Sequence, residues 1–204
     1  MKTTMNSTPQ SRFLIIIFLV LISTDSFGQT SFYHTLADSA LTLTDQQVVY
    51  DPSYFSIDYP GGDVPSGLGV CTDIIIRAYR KLGIDLQEEV HEDMVANFDK
   101  YPANWGLTKP DPNIDHRRVP NLMVFFSRHG EKLTISNNAN DYSPGDIVCW
   151  DLGKGITHIG FVVNKKSTDS VRNMILHNIG AGQVVADCLF KYIIIGHFRY
   201  GGDQ

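Results

Sequence analysis

The sequence predicts an α+β domain, and three observations carry that prediction. Apolar residues recur at helical spacing through the first two-thirds of the chain, short apolar runs parted by Gly and Pro turns fill the last third, and 43% of the 204 residues are hydrophobic. Helices first and strands second is the layout of helices segregated to one side of an antiparallel sheet. The length suits one domain of roughly 100–200 residues. A net charge of −5 lacks the basic footprint of a nucleic-acid binder.

The first segment stands outside the fold. Lys2 and Arg12 supply positive charge, Phe13–Ile22 is an unbroken apolar run of ten residues, and Ser26 and Gly28 offer a small-residue cleavage site before Gln29. An apolar region of about 7–15 residues with such flanks marks a secretory signal peptide, whereas a spanning helix needs about 20 apolar residues. The expectation is therefore a signal peptide over 1–28 and a single domain over 29–204, periplasmic or secreted, with no membrane attachment after cleavage.

In the domain, Leu36, Ala37, Ala40, Leu41 and Leu43 form a helical stripe within 32–47. Residues 48–70 hold Pro52, Pro60, Gly61, Gly62, Pro65, Gly67 and Gly69, a long irregular approach of the kind that often carries function. From Cys71 the pattern turns helical through Ile75, Ala78, Tyr79 and Leu82, with Gly83 as its stop. A second helix is expected over 86–98 on Leu86, Val90, Met94 and Phe98. Residues 101–120 read as loop, and Leu122, Phe125 and Phe126 mark a short helix ending at Gly130. Strands are expected at 133–136, 147–152, 158–164, 174–178 and 193–200 as an antiparallel meander.

Three cysteines, an odd number in an exported chain, suggest a free thiol or an intermolecular bridge. Cys149 and Cys188 lie in apolar surroundings and read as core thiols or disulfide halves. Cys71 opens a helix, where unpaired N–H groups and the dipole stabilise a thiolate. A catalytic thiol needs an imidazole to move its proton and a third group to orient the ring. His158 and His177, on two of the expected strands, are candidates for both tasks. No CxxC or zinc-ligand spacing occurs, nor a serine elbow, P-loop or dinucleotide fingerprint. Neither a metal nor an organic cofactor is therefore expected.

Taken together, Tyr59-Pro60-Gly61-Gly62, Cys71, Pro144-Gly145-Asp146-Ile147-Val148 and His158-Ile159-Gly160-Phe161-Val162 resemble the NlpC-type papain-like cysteine peptidases of bacterial cell-wall turnover. Gly69-Val70-Cys71-Thr72-Asp73, the run from Pro110 to Leu122 and His177-Asn178-Ile179-Gly180 are more specifically similar to the YijF-like exported bacterial proteins. The resemblance implies a papain-like fold with an inserted segment near 85–140. It implies a hydrolase acting on cell-wall peptides or peptidoglycan fragments, with Cys71 as nucleophile, His158 as base and His177 as orienting group. It sets no oligomeric state.

The substrate-binding residues expected with that triad are Tyr59, Asp73, Arg117, Arg118 and Asn178. Arginine forks match the carboxylates of peptidoglycan stem peptides, although a solvated surface pair reads equally well. Val70 and Thr72 depart from the Asp-Cys-Ser usual in NlpC-type enzymes, so substrate choice does not carry over. Two rival readings stand beside the hydrolase. One is a non-catalytic module that binds cell-wall peptides. The other is a metal-dependent hydrolase on Asp111, Asp115 and His116, residues whose types suit divalent ions, although Asp111, Asn113 and Asp115 also serve as turn formers.

Overall fold

The computed structural model describes residues 32–202, so the expected signal peptide lies outside the described residues. The described residues from Tyr33 onward belong to one compact unit. Helix α1 spans 32–41 and passes into a 3₁₀ turn, Thr42–Asp45, burying Leu36, Ala37, Ala40 and Leu43 as the stripe requires. A two-residue strand β1, Val49–Tyr50, pairs in parallel with β2, Leu68–Gly69, and so ties down both ends of the irregular approach.

Helix α2, Cys71–Arg80, is the centre of the domain. Eight of its ten residues are buried. Gly83 has φ +82, a left-handed conformation that costs glycine little, and it lets Ile84 N–H reach back to the Tyr79 carbonyl at 3.2 Å. Helix α3, Leu86–Ala96, starts at Asp85, whose carboxylate accepts the Gln87 N–H at 3.1 Å. Helix α4, Val119–His129, follows the long loop, with Pro120 in its first turn.

The strands are β3 (Glu131–Lys132), β4 (Ile147–Asp151), β5 (Thr157–Lys166), β6 (Asn173–His177), β7 (Val184–Ala186) and β8 (Ile193–Arg199). They form one antiparallel sheet in the order β3-β8-β4-β5-β6-β7. The α+β class thus holds, with helices packed on a C-terminal antiparallel sheet. The expected meander is real only from β4 to β7, because β8 crosses over to the free edge of β4. The strand expected at 133–136 is replaced by the two-residue β3. There the backbone finds other partners: Leu133 N–H bonds the His197 carbonyl, the Thr134 carbonyl meets His197 Nδ1, and Ser136 N–H bonds the Tyr142 hydroxyl.

Strand alternation divides the core. On one face Phe161 meets the α2 ring of Tyr79, which also contacts Phe126 of α4 and Tyr200. The Tyr79 hydroxyl donates to the Tyr200 carbonyl at 2.8 Å, satisfying its buried polar tip. On the other face Val148, Trp150, Val162 and Ile175 pack with Tyr142, Cys188 and Leu189, and the Trp150 indole N–H donates to the Leu189 carbonyl at 2.9 Å. The α2 N-terminus therefore meets the sheet where β5 begins.

Candidate functional site

Cys71 is the first residue of α2 and is buried. The Asp73 carboxylate accepts the Val70 N–H at 2.6 Å and closes the first turn. The Cys71 sulfur accepts from the backbone N–H of Ile159, the residue after His158 on β5. Burial pushes the thiol up to about 11, and Asp73 adds to that, while the N–H groups of Ile159, Thr72 and Cys71 itself pull the other way. No hydrogen bond joins Cys71 to His158, so the resting sulfur is held by main-chain donors.

His158 and His177 do come together. His158 Nε2 lies 2.9 Å from His177 Nδ1, with the rings edge to face. The sequence permits this approach through Gly160: a Cβ there would lie 2.8 Å from the Leu176 carbonyl oxygen and 3.2 Å from His177 Cβ. Trp150, opposite His158 in the β4–β5 ladder, packs against its ring at 5.7 Å. Burial, then the neighbouring His177, lowers His158 to about 3. Burial and the Lys191 charge lower His177 as well. Both rings are therefore neutral at ordinary pH.

Beside Cys71 opens a cleft of about 400 Å³, lined among others by Tyr50, Tyr54, Trp105, Arg118 and Thr157. The Arg118 guanidinium lies 4.2 Å above the Trp105 ring centroid. No ion pair engages it among the described residues. Asp115 and Asp111 act on it only through their charge, and burial lowers its pKa.

The two expected arginines have different tasks. Arg117 is buried, and its Nε and Nη2 meet both Asp73 oxygens at 3.0 and 3.2 Å. Its Nη1 donates to the Ser53 carbonyl at 3.0 Å. Arg117 and Asp73 thus fasten the 51–53 loop to the start of α2; Arg117 also borders the cleft, whereas Asp73 does not, and the polar atoms of both are engaged within the fold. Asn178 is engaged within the fold as well: fully buried, it donates to the Gly69 carbonyl at 3.2 Å and accepts the Gly180 N–H at 3.1 Å. Tyr59 does not line the cleft. Its ring abuts His91 of α3, and the tyrosines near Cys71 are Tyr50 and Tyr54.

The 110–121 loop is built by turn chemistry. Asp111 accepts from the Asn113 N–H at 3.0 Å and from the Tyr54 hydroxyl at 3.0 Å, while Asn113 accepts the Ile57 N–H at 2.9 Å. Asp115 bonds His91 Nδ1 at 2.9 Å and the Asp111 N–H at 2.8 Å. His116 is buried, lowered to about 3 by burial and by the charges of Arg117 and Arg80. Asp111, Asp115 and His116 do not converge, and among the described residues no three such side chains gather as metal ligands would. The metal-hydrolase reading fails on that arrangement.

All three cysteines are free and buried, so Cys149 and Cys188 form no disulfide. Cys188 is in a turn after β7 rather than a strand, with its sulfur 3.6 Å from His177 Nε2. Sequence reasoning missed Tyr50, Tyr54, Trp105 and Thr157, of which only Thr157, next to His158, carried a signal. Among the described residues no helix is long and apolar enough to cross a membrane.

The uncharacterized protein YijF of Escherichia coli is 49% identical over 165 residues, covering 81% of this chain and 80% of its own. Two solved structures, NlpC1 and NlpC2 of Trichomonas vaginalis, are each 15% identical, cover 82% of this chain, and have TM-scores of 0.45 and 0.46. The chain spans less than half of their length, 44% and 47%. A family model described as a domain of unknown function, DUF1287, matches residues 37–200, nearly the whole described fold, and the chain belongs to that family.

Proposed function

We propose that this chain is an exported thiol hydrolase, an amidase or peptidase acting on cell-wall peptides, with Cys71 as nucleophile. The observation that carries the reading is the junction of α2 and β5. A cysteine at a helix N-terminus bonds the main chain beside His158, His158 is paired to His177, and the sulfur borders a cleft with an unengaged arginine.

In this mechanism His158 Nδ1 takes the thiol proton, since its Nε2 is committed to His177. The sulfur attacks the amide carbon, and the N–H of Cys71 is one donor to the oxyanion, a contact worth about 2.7–4 kcal/mol. His158 then returns the proton to the departing amine, and water cleaves the thioester with His158 again as base. Arg118, placed over the Trp105 ring, offers its guanidinium to a substrate carboxylate.

A second reading, a module that binds cell-wall peptides without turnover, is favoured by the thiol raised to about 11 and held by main-chain donors. The experiment that decides is incubation of the domain with defined peptidoglycan fragments, with products identified by mass spectrometry. Cleavage abolished by iodoacetamide and by Cys71→Ala supports the hydrolase. Binding without any product supports the module.

A further inference from the structure

His158 and His177 do not end their hydrogen-bonded chain at each other. His177 Nδ1 meets His158 Nε2 at 2.9 Å, and its other nitrogen, Nε2, lies 3.6 Å from the sulfur of Cys188. All three groups are buried, and Cys188 packs in the cluster around Trp150. Each neutral imidazole carries one N–H and one lone pair. The chain therefore has two proton orders. In one, every N–H points toward Cys188 and His158 Nδ1 keeps its lone pair. In the other, the thiol donates to His177 and His158 Nδ1 carries a proton. Only the first order leaves His158 able to take a proton from Cys71.

Resting on the hydrolase reading above, we infer that Cys188 is a positioning residue whose sulfur accepts the Nε2–H of His177 and thereby fixes the tautomers of both histidines. Each link specifies the next. An acceptor at Cys188 requires Nε2–H on His177, so His177 Nδ1 accepts, so His158 carries its proton on Nε2 and its Nδ1 faces outward as a base. The second nitrogen of a histidine is commonly set by the hydrogen bond the first one makes.

The surroundings keep this chain closed to water. Cys188 is 7% exposed and His177 4%, and Trp150 packs over His158. The charged groups acting on Cys188 are Lys191 and Asp187, which oppose each other in sign, and Lys191 also acts on His177 and favours its neutral form. Burial pushes Cys188 up to about 11, so its sulfur stays a neutral thiol. Gly160 removes the side chain that would wedge β5 from β6 at this point. No other element of the proposed mechanism uses Cys188.

The test reads tautomers directly. Two-bond ¹H–¹⁵N correlation spectra of histidine-labelled protein assign the protonated nitrogen of His158 and His177 in the native chain, Cys188→Ser and Cys188→Ala. Native protein and Cys188→Ser, which keeps an acceptor, are expected to show Nε2–H on both rings. Cys188→Ala, which removes it, is expected to show mixed tautomers and a roughly tenfold slower labelling of Cys71 by iodoacetamide, with Cys188→Ser near native. Nδ1–H on His158 in the native protein overturns the inference, as do unchanged tautomers and labelling in Cys188→Ala. Native Cys71 labelling no faster than an ordinary thiol would instead count against the hydrolase reading, and the tautomers would still be read independently of it.

Discussion

The two walls of the cleft beside Cys71 are made differently. One wall comes from the start of α2 and of β5, where regular elements deliver Cys71 and Thr157, with the buried His158–His177 pair behind them. The other comes from the loops around 50–57 and 105–120, where Tyr50, Tyr54, Trp105 and Arg118 stand on irregular chain. The first is rigid because its main-chain bonds lie within a helix and a ladder. The second is held by a few side-chain staples, Arg117–Asp73 and the Asp111–Asn113 turn foremost. In the proposed function chemistry sits on the scaffold and recognition on the loops, a division that allows one to change without the other.

The largest break in that comparison is on the scaffold side. Cys71→Ala should abolish turnover, and His158→Ala should lower kcat by about 10²–10⁴. His177→Asn retains one hydrogen bond to His158 and should cost less. Steady-state kinetics on a defined peptidoglycan fragment, with circular dichroism to check folding, measures all three. Equal loss in His158→Ala and His177→Asn would erase the ranking.

The next effect separates the two arginines. Arg117→Ala strands the buried Asp73 carboxylate and should cost about 3–5 kcal/mol in urea unfolding. Arg118→Ala removes only a partly exposed cation on Trp105. It should leave stability within about 0.5 kcal/mol while raising KM about tenfold for carboxylate-bearing substrates, with kcat little changed. If Arg118→Ala destabilised as much as Arg117→Ala, the loop wall would be structural throughout.

A smaller effect is written in the titration of the buried rings. His116 and His158 both fall from 6.5 to about 3 in the folded chain. The unfolded chain therefore binds more protons between those limits, and stability must fall as pH drops through that window. Between pH 6.5 and 5 each ring should contribute a slope of up to about 1.4 kcal/mol per pH unit. Chemical denaturation across that range measures it, and His116→Asn should remove that ring's share while leaving the slope from His158 and His177. The smallest effect belongs to Tyr59→Ala: distant from the cleft, it should leave kcat/KM within about twofold, where Tyr50→Ala changes KM.

This division also explains what was legible in the sequence. The helix at Cys71 was readable because Ile75, Ala78, Tyr79 and Leu82 repeat at 3.6 residues and Gly83 ends it. His158 and His177 were readable because alternation and turn residues bounded their strands. The place of β8 was not, since nothing local distinguishes a strand that pairs with its predecessor from one that crosses to β4. The loop wall was only partly legible for a related reason. Asp73, Arg117 and Asn178 are polar residues in the right neighbourhood, and only tertiary contacts reveal that their hydrogen bonds are spent on one another and on the main chain. Tyr50 and Tyr54 lie in a stretch without periodicity, so their place beside Cys71 had no local signature.

Gly160 has a consequence for how this scaffold can change over time. A single methyl group there would meet the Leu176 carbonyl, Ile175 Cγ2 and His177 Cβ at 2.8, 2.9 and 3.2 Å. Two of those contacts are backbone or a branched core side chain, which cannot swing aside as a flexible tip can. Every coding change at this codon therefore prises apart the strands that hold the two histidines. Drift in the loops can proceed by small steps, whereas at this point the lineage has no neutral neighbour. A library randomised for new substrates can vary Tyr50, Tyr54, Trp105 and Arg118 freely, but it should leave position 160 untouched.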